Sequence, residues 1–487
     1  MYKRIFLLST LVSGAIYAAD FNQSMQGDLK TMLSSFPQLQ ATYYGYQQSK
    51  EHTNLTKTYG YPSWYLTYTP YNYYYYREHD PASPTPASMN NLRSKLGLST
   101  SSTSSDSIIE YNYHYSELDY GASQVLFDFG AQRASNKMAE LGTKNVFNRY
   151  QSQKDQTIIQ GMHAYIQIIE ARNILLLCSR LLDSIKQNIQ EADNAAPLTQ
   201  TDIKKAQATI SQIQGIIAQY KGQLASGIAS YKYYFGHEPK TPINELHMLK
   251  IPKNKLPKSE KEAVNSVLSQ NLNIKSAQNN ISSAKESYKQ AWATQFPSLN
   301  VRFDGTYSDN ANDASEKIDD YTISLSANYN ANLLSPYYRV KGAKYGILSA
   351  QESLKNTRTS MTQSAQSVWG GLSNYTDKVN AELQQMNAAI NFIKAATEEF
   401  KDGDRSLLDL LDAKMQVLNA GIEANNTYNQ LVLQAYTMLS LTNKLSTEDA
   451  RVASNNELEK KLNKIFAKSV DSDKMFQKLV TQRKKKA

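Results

Sequence analysis

The sequence predicts a transmembrane β-barrel continued by a long α-helical barrel, built from a protomer whose structure is internally duplicated. Three observations lead to this fold class. Four stretches alternate apolar and polar residues with the period of a β-strand, and two pairs of longer stretches carry the period of an α-helix. The same order of stretches occurs in each half of the chain. The chain also begins with the pattern of an export signal.

The amino terminus has the organisation of a secretory signal peptide. Lys3 and Arg4 precede the apolar run 5–15, and small residues follow near Ala18. We expect cleavage after Ala18, so residues 1–18 are set apart from the fold. No cysteine stands at the expected cut, which argues against a lipid anchor there.

Composition and charge exclude several functional classes. The net charge is +9, but the signal peptide contributes two positive charges and residues 483–486 four, which leaves +3 and argues against nucleic-acid binding. The six histidines are scattered, and HExxH, a phosphate-binding glycine loop and GxSxG are all missing. The single cysteine, Cys178, is expected in the core. We therefore expect neither enzyme activity nor a cofactor, and we interpret residues 446–487 as a polar, basic tail.

The two halves of the chain align with each other in two registers. In the first register, the helical stretch before Pro62 aligns with the one before Pro297. In the second register, farther along the chain, "TDIKKA" (201–206) aligns with "LDLLDA" (408–413). The second register has the shorter offset, which places about 28 extra residues in the first half. Segment 77–106, rich in proline and serine, accounts for them as a predicted surface loop.

The alignment predicts two structural repeats that share one layout. Each repeat contains a helix, a strand hairpin and a long helical hairpin, in that order. The predicted ranges are 19–240 for the first repeat, with strands in 61–128 and helices in 131–235, and 241–445 for the second, with strands in 297–334 and helices in 340–445.

The polar face of the alternating stretches suits an aqueous lumen. In the second half, apolar Val301 and Phe303 alternate with polar Arg302 and Asp304, and the polar positions are charged or hydrogen-bonding almost throughout. Aromatic residues also collect toward the strand ends, as they do in the interfacial girdles of membrane barrels. A half-buried sheet of a soluble protein alternates similarly. The export signal and the charged face favour the membrane barrel.

The number of strands predicts an oligomer. Four strands cannot enclose a lumen, because the smallest single-chain barrels use eight. A sheet that faces lipid also cannot leave its edges unpaired. Three copies of a four-stranded chain would form a 12-stranded barrel in contact with outer-membrane lipid.

The predicted helices are too long for a globular domain. Residues 131–192 contain no proline and would span roughly 90 Å as one α-helix. A polar break at "EADNAAPLTQ" separates this helix from the next, and "KDGDR" makes the corresponding break in the second half. Such helices pack as coiled coils with solvent on one face.

These motifs, in this order, resemble the outer-membrane efflux protein family, the TolC-type channels. "FPQL" (36–39) and "NLNI" (271–274) each precede a strand-opening proline by a similar distance, and "VLFDFGAQR" (125–133) resembles the family's strand-to-helix entry. The most specific match is "FKDGDRSLLDLLDAKMQVLNA" (400–420). The resemblance implies a homotrimer in the bacterial outer membrane that extends through the periplasm as a coiled-coil tunnel. It also implies a periplasmic adaptor and an inner-membrane pump of the RND or ABC type as partners.

The resemblance also assigns roles to individual residues. By resemblance, the periplasmic entrance constriction would be lined by Asp409 and Asp412, gate contacts would come from Arg405, Thr201, Asp202 and Phe400, and adaptor-facing tips would lie at Ala196 and Gly403. Phe400 departs from the family pattern, because some members have a gate tyrosine there. A phenyl ring cannot donate the hydrogen bond of a tyrosine.

Taken from the residues alone, the Asp409–Asp412 pair allows several interpretations. The two carboxylates belong to a continuous polar stripe, which is typical of a solvated helix face. A catalytic pair lacks an accompanying nucleophile or base, and one chain supplies too few ligands for a metal site. In a trimeric tunnel the same stripe would face the lumen, where six carboxylates would attract cations.

Two functional hypotheses follow. The first is a passive channel of a tripartite efflux pump or a type I secretion system. The alternative is a structural or adhesive outer-membrane stalk without a conducting lumen. The duplication and the polar strand faces favour the channel, because a stalk needs no lumen.

Overall fold

A computed structural model gives the structure of most of the chain. It describes residues 25–79, 94–97, 108–195, 199–240, 242–243, 246–311, 316–329, 332, 334–402 and 407–449. The predicted signal peptide 1–18, most of the loop 77–106 and the tail beyond residue 449 lie outside the described residues.

Twelve α-helices and β-strands make up the described fold. In chain order they are α1 (Met25–Ser35), α2 (Pro37–Thr58), β1 (Ser63–His79), β2 (Ile108–Phe127), α3 (Ala131–Ala195), α4 (Gln200–Phe235), α5 (Glu260–Gln270), α6 (Leu272–Ala293), β3 (Ser298–Ala311), β4 (Glu316–Asn328), α7 (Ser335–Asp402) and α8 (Leu407–Leu441). Two corrections to the sequence interpretation follow. β1 continues to His79, inside the range expected as loop, and the stretch around "FPQL" is two helices rather than one. Pro37 starts the second helix, because proline lacks an N–H and restricts the residue before it.

The element boundaries recur at the separations found by aligning the sequence with itself. The break between α1 and α2 lies at Phe36, and the break between α5 and α6 lies at Asn271, which is its equivalent in the first register. The strands β1 and β3 begin at Ser63 and Ser298, which are equivalent in the same register. Helices α4 and α8 begin at positions that are equivalent in the second register.

The described chain divides into two compact units that cut across the sequence repeats. One unit contains residues 49–143 and 280–351 and holds all four strands. The other contains residues up to 48, 144–279 and 352 onward, and it is helical. Each unit therefore takes segments from both halves of the sequence.

The strands form one antiparallel sheet in the order β1-β2-β3-β4. Its register places Leu66, Tyr120, Gly305 and Tyr321 in one cross-strand row, and Trp64, Ala122, Phe303 and Ile323 in the next row on the same face. The side chains at the outer strands of this face are exposed, with Leu66 at 63% and Ile323 at 75%. The alternation predicted from the sequence is therefore present as two distinct faces.

Two glycines allow tyrosine rings to lie flat across the sheet. A Cβ at Gly121 would come within 2.5 Å of the Tyr65 ring and 2.6 Å of the Phe303 carbonyl oxygen. On the opposite face, a Cβ at Gly305 would come within 2.4 Å of the Tyr120 ring. Each ring thus covers a glycine on the neighbouring strand, an arrangement that fixes strand register.

The turn into α3 is built by the "FDFG" sequence. Phe129 and Gly130 have φ angles of 55° and 88°, in the left-handed region. Asp128 stabilises the turn, because its carboxylate accepts hydrogen bonds from the backbone N–H of Gly130 at 3.0 Å and of Gln132 at 2.6 Å. The strand therefore ends sharply and the 65-residue helix α3 begins at once.

The helical unit buries an extensive apolar core along α3 and α8. Ile158, Met162 and Ile168 of α3 are fully buried, as are Leu411 and Leu418 of α8. Cys178 is also fully buried, as the sequence predicted, and burial raises the pKa of its thiol to about 11. None of the described helices combines the length and the apolar character needed to cross a lipid bilayer.

The segment between the two halves is fixed by side chains from α3 and α8. The Tyr165 hydroxyl donates to the carbonyl of His247 at 3.0 Å, and the Tyr428 hydroxyl donates to that of Leu249 at 3.0 Å. The Tyr436 hydroxyl lies 2.9 Å from the carbonyl oxygens of both Lys250 and Asp449. These bonds pair backbone carbonyl oxygens with buried hydroxyl groups of the helical core.

Candidate functional site

The predicted site residues of α4 lie at a capped helix start. Thr199 is the N-cap, and its hydroxyl accepts from the Asp202 N–H at 3.2 Å. The Asp202 carboxylate accepts in return from the Thr199 N–H at 3.2 Å, which completes a capping box. Asp202 therefore has a structural task in its own chain, and Thr201 beside it is exposed.

Asp409 and Asp412 lie in the first turns of α8, and both are exposed. The stripe predicted around them is present, since the positions that continue it toward the carboxyl end are exposed as well. Those positions are Gln416, Asn419 and Glu423. Leu411 and Leu418 on the opposite side are fully buried.

Asp412 forms an ion pair that the sequence interpretation missed. Its Oδ2 accepts from Lys205 Nζ of α4 at 2.8 Å, and the carboxylate and ammonium side chains are 54% and 43% exposed. Lys205 and Asp412 are equivalent positions of the two repeats, because their separation is the offset of the second register. That equivalence, together with their opposite charge, is the signal that could have revealed the pair.

A second lysine lies inside the same region. Lys414 of α8 is only 2% exposed, and its ammonium donates to the Ser184 hydroxyl of α3. With its amide oriented to match, Asn188 accepts from Lys414 Nζ at 2.6 Å and donates to the Ser184 carbonyl at 3.3 Å. The hydrogen bonds offset part of the cost of burying the charge. A lysine in an amphipathic pattern is normally assigned to the solvent face, so the pattern gave no indication of this contact.

The remaining predicted site residues are not placed. Ala196, Gly403 and Arg405 lie outside the described residues. Phe400 belongs to α7, but its side chain is also outside the description. The expected contact between Arg405 and Asp202 therefore stays a prediction. Within the described ranges, no group of three or more histidine, cysteine or acidic side chains is arranged to hold a metal ion.

The polar face of the sheet carries its own interactions. The Tyr65 hydroxyl donates to Asp304 Oδ1 at 2.7 Å, and Arg302 Nε lies 2.7 Å from the same carboxylate. Two residues along, the Thr306 hydroxyl donates to Asp119 Oδ1 at 2.8 Å. This face therefore holds charged groups in hydrogen-bonded pairs, all within reach of water.

Comparison with known proteins finds a family model that matches part of the chain. Residues 263–444 match the model of the outer membrane efflux protein family. The chain is 23% identical over 333 residues to Outer membrane protein TolC of Salmonella enteritidis, an alignment that covers 64% of this chain. It spans 66% of that relative, just under two thirds of its length.

Two further relatives are also outer-membrane proteins. The chain is 23% identical to Outer membrane protein TolC of Escherichia coli strain K12 over 363 residues, covering 69% of this chain and 71% of that protein. It is 20% identical to Outer membrane efflux protein BepC of Brucella suis, covering 67% and 72%.

The fold agrees with solved outer-membrane channels. It matches the outer-membrane channel OprN with a TM-score of 0.72 at 14% identity, over 86% of this chain and 90% of that one. It matches the CmeC channel of Campylobacter jejuni with a TM-score of 0.67 at 12% identity, over 91% and 89%. The resemblance to the TolC-type outer-membrane efflux proteins is therefore confirmed, and the chain is an outer-membrane protein.

Proposed function

We propose that this protein is the outer-membrane channel of a tripartite efflux pump or a type I secretion system. Three copies form a 12-stranded barrel and a periplasmic coiled-coil tunnel, which conduct substrate passively and without catalysis. A periplasmic adaptor and an inner-membrane pump of the RND or ABC type supply the substrate and the energy.

The observation that carries the proposal is a four-stranded sheet with two different faces. One face exposes large apolar side chains such as Leu66 and Ile323, and the other holds the Tyr65–Asp304–Arg302 cluster. An apolar face of this extent is costly in water and favourable in lipid. The charged face requires water, so a sheet of this kind suits the wall of an aqueous lumen.

The edges of the sheet support a trimer. β1 and β4 are the edge strands of the described sheet, and unpaired backbone groups are costly in hydrocarbon. Pairing β4 of one chain with β1 of the next closes the sheet without a free edge. Three chains give the strand number of a barrel wide enough for substrate.

The length of the helices supports a periplasmic tunnel. α3 has 65 residues and α7 has 68, which at 1.5 Å per residue correspond to about 98 and about 102 Å. The predicted tips at Ala196 and Gly403 follow the last residues of α3 and α7 in the sequence and would meet the adaptor. Asp409 and Asp412, near that end, would line the entrance, with Thr201, Asp202, Arg405 and Phe400 as gate positions.

The alternative is a structural or adhesive stalk. It would use the long helices as a spacer and the segment 77–106 as a binding surface, with no conducting lumen. The hydrogen-bonded charges on one sheet face favour the channel, because a stalk does not need a second wet face.

Reconstitution tests the proposal. The purified full-length protein in detergent should have the mass of a trimer, and in planar bilayers it should form cation-selective pores of uniform conductance. The double variant Asp409→Ala with Asp412→Ala should weaken the block of current by divalent cations. A trimer that forms no pores would favour the stalk. If the double variant formed pores with unchanged divalent block, the assignment of Asp409 and Asp412 to the entrance would be wrong.

A further inference from the structure

The ion pair between Lys205 and Asp412 joins equivalent positions of the two repeats. Helices α4 and α8 begin at equivalent positions, and the two residues of the pair have the same separation along the chain. The pair of equivalent positions one turn earlier consists of Asp202 and Asp409, which are both acidic. The duplication has therefore kept an acid at the first position and placed opposite charges at the second.

Lys205 of α4 and Lys414 of α8 differ in whether a dissolved cation can take their place. Lys414 is buried between α3 and α8 and hydrogen-bonds to Ser184, so a dissolved ion cannot replace it without opening the core. Lys205 and Asp412 are about half exposed, and exposed ion pairs have small net free energies. A cation from solution can therefore compete with Lys205 for the Asp412 carboxylate.

We infer that Lys205 is a specificity-determining residue, which sets the affinity of the entrance for divalent cations by occupying Asp412. The inference rests on the proposed channel function. In the described structure the ammonium of Lys205 is the counter-ion of Asp412, so this carboxylate is already neutralised in each chain. A divalent cation must displace this ammonium to bind the Asp412 carboxylate.

The charges give the direction of the effect. Removing the ammonium leaves Asp412 with an unbalanced negative charge next to the entrance, which attracts cations more strongly. Replacing it by a carboxylate adds a further negative charge at the same place. Divalent block should therefore tighten in the order wild type, Lys205→Gln, Lys205→Glu.

The test measures the Mg²⁺ concentration that halves the single-channel conductance of the full-length trimer in planar bilayers. Lys205→Gln should lower that concentration about fivefold, the size expected for loss of one exposed ion pair, and Lys205→Glu should lower it further. The matched control is Lys204→Gln, which removes the same charge from an exposed neighbouring position that makes no contact with Asp412 in the structure described. This control should leave the block within about twofold of wild type.

A double variant separates the pair from general charge effects. If Lys205 acts through Asp412, Lys205→Gln should tighten the block in the wild-type background and have little effect when Asp412→Asn is present. Equal effects in both backgrounds would overturn the inference, as would equal effects of Lys204→Gln and Lys205→Gln. These outcomes all require a conducting wild-type pore, so they differ from failure of the proposed function, in which wild type forms no pore.

Discussion

The sheet unit and the helical unit handle apolar side chains in opposite ways. The helical unit buries its leucines, isoleucines and methionines between its own helices, so that residues such as Leu411 have no exposed surface. The sheet unit leaves comparable residues such as Leu325 and Ile323 open, at 66% and 75% exposure. The helical unit is thus stabilised chiefly by its own packing, whereas the sheet requires lipid or another chain to cover it.

The same leucine-to-alanine change should have different costs in the two units. Leu411→Ala leaves a cavity in the helical core and should lower the free energy of unfolding by about 2–5 kcal/mol. Leu325→Ala should cost about 1–2 kcal/mol in detergent, because detergent fills the space and only the transfer free energy is lost. Guanidinium unfolding of the detergent-solubilised protein, followed by circular dichroism, measures both. Equal costs would mean that protein, rather than lipid, covers Leu325.

Adding one methyl group should also have different effects on the stability of the two units. Gly121→Ala places a Cβ against the Tyr65 ring and the Phe303 carbonyl oxygen, and it should cost about 1–3 kcal/mol, because the backbone of β3 cannot move aside cheaply. In α2 of the helical unit, Gly45→Ala meets no atom within 4 Å and should stabilise by up to about 1 kcal/mol. Unfolding midpoints compare the two. A neutral Gly121→Ala would show that the tyrosine ring does not fix the strand register.

Buried charge in the helical unit should make its stability depend on pH. Burial in α3 raises the pKa of Asp155 to about 6, against weaker opposing effects of a Ser440 hydrogen bond and the nearby charge of Lys154. The folded state therefore prefers the protonated acid. The contribution of protonated Asp155 to the free energy of unfolding is fully present below the pKa of the unfolded chain, near 4. It is lost as the pH rises through about 6, and the free energy of unfolding falls by about 1–3 kcal/mol.

Asp155→Asn removes this dependence. It should stabilise the protein at pH 8 and have little effect at pH 4, and denaturant midpoints at the two values measure the difference. Asp183→Asn, at an exposed position of the same helix, is the control and should change both midpoints equally. A gain that is the same at pH 4 and pH 8 would contradict ionisation of Asp155 as the cause.

Periodicity and self-alignment predicted most of the architecture. The second register of the self-alignment agrees with the paired starts of α4 and α8, because these boundaries depend on local sequence. The breaks at Phe36 and Asn271 were not predicted, although they lie at equivalent positions of the first register. The polar stripe through Asp409 and Asp412 was likewise predicted from helical spacing. The division of the chain into two sequence repeats stays a prediction, since the compact units follow packing rather than chain order.

Contacts between distant elements were beyond the reach of periodicity. The pairing of Lys205 with Asp412 needs α4 and α8 side by side, and the burial of Lys414 needs Ser184 of α3 opposite it. A helical pattern assigns both lysines to solvent, because it registers charge and spacing but not the neighbour. The cover of Gly121 by Tyr65 depends on strand register in the same way.

The smallest expected difference comes from removing one hydroxyl in each unit. Tyr436→Phe, in the helical core, removes the hydroxyl beside the Lys250 and Asp449 carbonyls and should cost about 1–2 kcal/mol, because the hydrogen bond to the Asp449 carbonyl is buried. Tyr65→Phe removes the hydrogen bond to Asp304, but Arg302 stays beside that carboxylate and water replaces the donor. Its cost should stay below about 0.5 kcal/mol. Both rings keep their packing, so the difference in unfolding free energy isolates the effect of water access. If Tyr65→Phe costs as much as Tyr436→Phe, the polar face of the sheet is dry in the assembled protein, and an aqueous lumen along it is excluded.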